Sequence, residues 1–332
     1  MQFVCSVLFL FVVCLECYRH PAPESFDRFI YEAIVLERSE PLEVAYTTVK
    51  HENWRAEDSG VLNSPESLRE LQPLYAIRPL YIEAIALLAR VMPIPRAIDF
   101  ISAASYFAIG IVAIVWSGNP ILSALLIASA PLLFVGRIGG PDAFAGLLII
   151  CGLWMIEREI HPVLAWFSLL LSLAARTDSL ILVLVVLLWR LWEKRLSRIT
   201  AASLAAFSVA AVAFVNHWAG NYGWRVLFRY SLVDSSHSPG HTPAIVTVPE
   251  YFAALLHGSL AIASYLSLWL MLGILAWRRR PDPLLPVIGV GVLAHFLLFP
   301  SSEVRYFVWA FIVVGILLIR AYSSPPILST KS

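Results

Sequence analysis

Apolar residues run along this chain in long unbroken blocks rather than in alternation. The blocks occupy 2–15, 74–92, 97–116, 119–135, 142–156, 160–175, 178–192, 199–217, 251–277, 284–300 and 306–322. A helix rises about 1.5 Å per residue, so such blocks match or approach the ~30 Å hydrocarbon core of a bilayer. Continuity predicts helices, because the strands of a membrane β-barrel alternate. The breaks between blocks are mostly short and polar: PIPR, SGNP, RIGGP, EREIHP, RTD, EKRLSR, RRRPDP and SSEVRYF. The expected architecture is therefore one all-α membrane domain over 1–332, a polytopic helical bundle with about ten or eleven hydrophobic segments. It comprises a first membrane helix (2–15), a polar first loop (16–73), membrane segments (74–217), a second polar loop (218–250) and closing segments (251–322).

Lysine and arginine placement orients the bundle. WRLWEKRLSR (189–198) and WRRRPDP (277–283) are the most basic breaks and are expected to be cytoplasmic. That puts 218–250, SSEVRYF, RTD and RIGGPD outside and, with a cytoplasmic N-terminus, the 16–73 loop as well. Three apolar blocks separate the 16–73 loop from RIGGPD, where an even number of crossings is required. One of them, 74–92 or 119–135, is then expected to be interfacial or only partly inserted; the alternative, a cytoplasmic first loop, would split the polar motifs between two faces.

Composition agrees with a membrane setting. The chain is 59% hydrophobic and 14% charged, with mean hydropathy +0.76, against about 25% charged residues in soluble domains. The net charge of +1 gives no basis for a nucleic-acid partner. Cys5, Cys14, Cys17 and Cys151 lack metal-ligand spacing and read as small apolar residues. His237 and His241, with Asp234 nearby, offer zinc donors, but HSPGH carries proline and glycine and so lacks the helical spacing that would align them.

The candidate chemistry collects on the expected outer face: Asp27, Tyr31, Arg78, Arg137, Asp142, Arg176, Asp178, Glu303, Arg305 and Tyr306. Ionisable groups at a membrane are costly and mark substrate paths when they face an interior cavity. Each also has a local explanation. In RIGGPDAFAGLLII (137–150), Gly139 and Gly140 suit a tight turn, Pro141 opens a helix, and Asp142 complements its N-terminal dipole. Arg176 and Asp178 can pair with each other, and Arg305 can snorkel to the interface. ESFDRFIYEAIVLERSEPL reads as an amphipathic helix with Phe26, Phe29, Ile30, Ala33 and Ile34 on one face, suited to the outer membrane surface. Asp27 and Tyr31 lie one above the other on it. The 218–250 loop, rich in Trp, Tyr, Arg and His, suits either a cover for the site or an aromatic belt.

Several of these stretches resemble the GT-C superfamily of integral-membrane glycosyltransferases. FDRFIYEAIVL, with Asp27, is similar to the family's acid-bearing amphipathic helix in the first extracytoplasmic loop. RPLYIEAIALLAR (78–90) looks like its entry to the next membrane segment. APLLFVGRIGGPDAFAGLLII looks like its proline–aspartate helix start, and FPSSEVRYF (299–307) resembles its stretch before a closing helix. The likeness is to the bacterial branch of mannosyltransferase-like and dolichyl-phosphate-mannose-transferase-like proteins. Many members carry two adjacent acids where this chain has Asp27 followed by Arg28.

The resemblance implies a multi-pass enzyme of the bacterial inner or plasma membrane, of hexosyltransferase type. It would move a sugar from a polyprenyl-phosphate carrier to a glycan, lipid or protein acceptor outside the cytoplasm. Asp27 would be the base. Arg305, then Arg176, Arg137 and Arg78, with Tyr306, would bind the phosphate, while Asp142, Asp178, Glu303 and Tyr31 would orient substrate. A divalent metal is left open. The same charges would serve a transporter or flippase for a lipid-linked or anionic substrate, or a non-catalytic membrane subunit.

Overall fold

The structure, a computed structural model, describes residues 1–22, 26–53, 63–234 and 238–323. Among them it is all-helical, without strands. The helices are α1 (Gln2–Arg19), α2 (Phe26–Leu36), α3 (Leu42–Asn53), α4 (Pro65–Tyr75), α5 (Pro79–Leu88), α6 (Ile94–Ser117), α7 (Pro120–Ile127) and α8 (Ala130–Arg137). There follow α9 (Asp142–Glu157), α10 (Pro162–Ala175), α11 (Leu180–Trp192), α12 (Arg198–Trp218), α13 (Trp224–Leu232), α14 (Val248–Arg279), α15 (Leu284–Leu298) and α16 (Val308–Ser323). Among the described residues, five segments are long and apolar enough to cross a membrane: α1, α6, α12, α14 and Val304–Ser323. The chain is an integral membrane protein.

Polar contacts define two ends of the bundle. At one end Asp142, the first residue of α9, meets Arg176 at the end of α10 and Arg305 just before α16. At the other, Glu157, the last residue of α9, accepts from Trp116 Nε1 at 3.1 Å and pairs with Arg320 of α16 at 2.9 Å. The apolar helices α9, α10, α11 and α15, of 13 to 16 residues, run between these ends and share one large core with α6 and α16.

Of the two blocks expected to insert incompletely, α5 is the one that stays at the Asp142 end. Its Tyr81, Ile82 and Ile85 pack in one cluster with Tyr31 and Val35 of α2 and with Ala97 and Ile98 at the start of α6. Arg38, just past α2, also pairs with Glu83 of α5 at 2.7 Å. The 119–135 block is broken into α7 and α8, yet the pair retraces the length of α6. Asn119 begins beside Ser117, Ile127 lies opposite Tyr106, and Gly139 ends against Ile98.

The structure sharpens three expectations. Helix α2 does not present a free apolar face: Phe29, Ile30, Tyr31, Glu32 and Ala33 are all buried, so protein covers more than the apolar face. It sits against α3, α4, α5 and α6. The glycines of RIGGPD do sit in a tight turn, closed by the Gly140 N–H donating to the Ile138 carbonyl at 2.8 Å, although neither needs positive φ. They are needed for close approach: a Cβ on Gly139 would press on Ile98 and Arg28, and one on Gly140 on the Asp142 carboxylate. Finally, Cys14 and Cys17 are buried as expected, but Cys5 is exposed on the outer side of α1.

The second polar loop is docked rather than free. Tyr222 OH donates to the Glu70 carbonyl of α4 at 3.0 Å, and Trp224 Nε1 to the Leu298 carbonyl at 2.9 Å. It thereby ties the first loop to the end of α15.

Candidate functional site

Four helix boundaries deliver the charged residues to one place. Pro141 starts α9, so Asp142 projects from a first helical turn, where a carboxylate also meets the positive end of the dipole. Arg176 follows the last residue of α10 in extended conformation, and a 3₁₀ turn, Thr177–Ser179, carries Asp178 back toward it. The 299–303 stretch opens the α15–α16 connection, and a 3₁₀ turn, Val304–Phe307, presents Arg305 and Tyr306. Asp27 comes from the first turn of α2.

Arg305 Nη1 donates to Asp27 Oδ2 at 2.5 Å and lies 3.8 Å from Asp142 Oδ2. Its Nε faces Glu303, whose side chain is half-exposed. Arg176 pairs with Asp142 and, through both edges of its fork, with Asp178. The two guanidinium groups flank the Tyr306 ring, 4.7 Å (Arg176) and 5.4 Å (Arg305) from its centroid. Tyr75 OH donates to Asp27 Oδ1 at 3.0 Å. Arg78 donates to Tyr31 OH and lies 5.7 Å and 5.4 Å from the centroids of the Tyr31 and Tyr75 rings. His295 Nε2 of α15 is 3.5 Å from Asp178 Oδ2.

Nine of the ten residues singled out from sequence thus meet in one network: Asp27, Tyr31, Arg78, Asp142, Arg176, Asp178, Glu303, Arg305 and Tyr306. Arg137 has other partners. Its Nε donates to the His20 carbonyl at 2.7 Å, closing the α1–α2 connection instead. Tyr75 and His295 went unread in the sequence, although each left a signal. The run PLYAIRPLY repeats Pro-Leu-Tyr, and Tyr75 ends the first copy. His295 is an ionisable group inside an otherwise apolar block.

The network is closely matched in charge. Asp142 and Arg176 are almost inaccessible, and Asp27 and Arg305 are 13% and 12% exposed. Burial works to raise the Asp27 carboxyl. The charges of Arg305 and Arg78 and the hydrogen bonds from Arg305 and Tyr75 prevail, and hold it below the usual carboxylate range. The cavity among Asp142, Arg176, Asp178, His295, Arg305 and Tyr306 measures about 20 Å³, room for a single water.

The next residue on α2 is buried in a pair of its own. Arg28 Nη2 reaches Asp99 of α6 at 3.2 Å, with Asp99 2% exposed. Neighbouring residues of one short helix therefore fasten it in two directions, to the α15–α16 connection and to α6.

Metal ligation does not suit these carboxylates, because Asp27, Asp142 and Asp178 each face a guanidinium group. Among the described residues, no group of three His, Cys, Asp or Glu side chains is arranged to hold an ion. His237 lies outside the described residues. His241 bonds to Ser238 Oγ at 2.9 Å and faces Glu70 at 3.6 Å.

The chain matches no protein-family model, no curated protein and no solved structure.

Proposed function

We propose that the protein is a membrane glycosyltransferase that moves a sugar from a polyprenyl-phosphate carrier to an acceptor hydroxyl on the extracytoplasmic face. The observation that carries this reading is the meeting of Asp27 with Arg305, Arg176, Arg78 and Tyr306 at one end of a membrane helix bundle. An exposed end of such a bundle is where a lipid tail can stay in the bilayer while its phosphate reaches water-facing side chains. The opposite, Glu157 end carries the basic 189–198 and 277–283 breaks, which favours an outward-facing Asp27 end.

In the reaction the acceptor oxygen forms the new bond to the anomeric carbon while the carbon–oxygen bond to phosphate breaks. The acceptor proton passes to Asp27, and the electron pair of the broken bond stays on the carrier phosphate. Arginines suit that phosphate because their planar forks remain charged and bind its oxygens bidentately. Asp27 is a weak base while Arg305 holds it, so the ion pair loosens as the acceptor hydroxyl enters and the carboxyl rises toward its working range. Asp142 and Asp178 hold Arg176 in place, Glu303 holds Arg305, and Tyr31 holds Arg78.

The near-complete pairing of the charges also favours a second reading, a structural lock in a non-catalytic membrane subunit. A path for an ion or flipped lipid receives less support, because the charges sit at helix ends rather than at mid-helix depth.

The test is incubation of the purified chain with radiolabelled polyprenyl-phosphate sugars and an acceptor panel, beside Asp27→Asn. Transfer by the wild type, reduced at least ~100-fold in the variant, is the result for a general base. Transfer unaffected by the substitution removes Asp27 as base, and no transfer to any acceptor leaves the structural lock.

A further inference from the structure

The three arginines of the network are not equivalent. Arg305 is neutralised by Asp27 and Glu303, with Asp142 close by. Arg176 is neutralised by Asp142 and Asp178. An anion arriving at either has to displace a carboxylate that is held in a site with room for one water. Arg78 differs on each count. Among the described residues no carboxylate lies within ion-pairing distance of it, and its one hydrogen bond goes to the neutral hydroxyl of Tyr31. Like Arg305 it is partly exposed, but unlike both it does not line the one-water cavity between them.

Its surroundings suit a cation kept ready for an anion. The Tyr31 and Tyr75 rings lie beside the guanidinium, and aromatic faces attract a cation without neutralising its charge. Tyr31 is completely buried and stacks edge-on against both Tyr75 and Tyr81, so the support is rigid. Pro79 starts α5 immediately after Arg78, which fixes the backbone from which the side chain springs. Asp27, Arg176 and Tyr306 are within electrostatic reach, so a phosphoryl group on Arg78 would stand at the edge of the network without breaking any of its ion pairs.

We propose that Arg78, framed by Tyr31 and Tyr75, is the phosphoryl-group receptor of this protein, and that Arg305 and Arg176 are the scaffold beside it. This reverses the order in which the sequence alone ranks the arginines. It deepens the glycosyl-transfer reading at the same site but does not need turnover to be tested.

Binding is measured on the full chain in detergent with two probes, farnesyl phosphate and inorganic phosphate. Farnesyl phosphate is expected to bind, and Arg78→Gln to weaken it by roughly tenfold or more, the loss of a charge-assisted hydrogen bond. Thermal unfolding should change less in that variant than in Arg305→Gln, since Asp27 loses a nearby charge but keeps its ion pair. Asp27→Asn, which leaves Arg78 intact, should bind at least as tightly as the wild type. Competition by inorganic phosphate at similar concentration identifies the headgroup alone as the ligand, whereas binding of farnesyl phosphate only identifies a lipid source; both support the receptor. Farnesyl phosphate binding that survives Arg78→Gln but is lost in Arg305→Gln overturns the proposal, as does no binding of either probe at millimolar concentration. If binding depends on Arg78 yet no sugar is transferred, the transferase reading fails and the receptor stands. If transfer proceeds with unchanged KM in Arg78→Gln, the receptor fails and the transferase reading stands.

Discussion

Asp27 and Arg305 stand 278 residues apart in the chain and meet at 2.5 Å. One belongs to a short helix of the first polar loop, the other to the turn that precedes the last helix. Their contact closes the bundle at one end, and much of the behaviour of the protein follows from it.

The pair makes stability acid-sensitive in a defined direction. Asp27 titrates lower in the folded protein than in the unfolded chain, where an aspartate has a pKa of about 3.9. Its contribution is fully present above that value and is lost as pH falls through the lower, folded-state value. Thermal unfolding of the detergent-solubilised protein, followed from pH 7 to about 2, should therefore show a drop below roughly pH 4. Asp27→Asn should make that drop shallower, and an unchanged acid limb would show that the pair does not couple to folding.

Arg176 should matter more to folding than any other side chain of the network. It serves Asp142 and Asp178 together, and Asp142 is almost inaccessible. Arg176→Ala leaves buried carboxylate without a partner, at a cost of about 3–5 kcal/mol. Chemical unfolding in detergent measures it. A substitution costing below about 1 kcal/mol would mean that water already screens the cluster.

Gly258 of α14 touches the loop that presents Arg305. A Cβ there would run into the carbonyl of Pro300, a backbone atom that cannot rotate away. Gly258→Ala should cost about 1–3 kcal/mol and, by pushing the 299–303 stretch, weaken the Asp27–Arg305 contact as well. The readout is a flatter acid limb in the pH series above, together with lower thermal stability. Wild-type behaviour in both would show that α14 yields instead.

The opposite end of the bundle supplies the control. Glu157 pairs with Arg320, accepts from Trp116 and lies 3.3 Å from Arg158 Nε, joining α6, α9 and α16. Glu157→Ala leaves Arg320 largely without its nearest carboxylate and should lower stability by about 3 kcal/mol. Binding of farnesyl phosphate at the Asp27 end should be unaltered, because a full helix length separates the two. A matching loss of binding would make the two ends one coupled unit.

How much of this was legible in the sequence varies from residue to residue. The start of α9 at Pro141–Asp142 could be read directly, because a proline followed by an acid has a local reason to begin a helix. So could the amphipathic character of α2, but not its fate. Periodicity shows that a helix has an apolar face and does not show whether lipid or protein covers it. Arg137 and Arg176 look alike as arginines at polar breaks, yet one closes a loop on the His20 carbonyl and the other centres an ion network. Tyr75 could have been found in the PLYAIRPLY repeat, whereas its hydrogen bond to Asp27 could not.

By itself, then, the sequence determined the solvent, the helical class and the polar breaks, since these follow from local composition and from the length needed to cross a bilayer. Only the tertiary structure decided which breaks meet. That choice depends on how far each helix reaches, on the glycines that let the α8–α9 turn and α14 approach their neighbours, and on buried charges that find opposite partners because leaving them unpaired in a bundle core is too costly. It also decided the distant half of the pairing: Asp178 and Glu303 stand two residues from Arg176 and Arg305 and could be read beside them, whereas Asp142 and Asp27 reach the same arginines only through packing across distant segments.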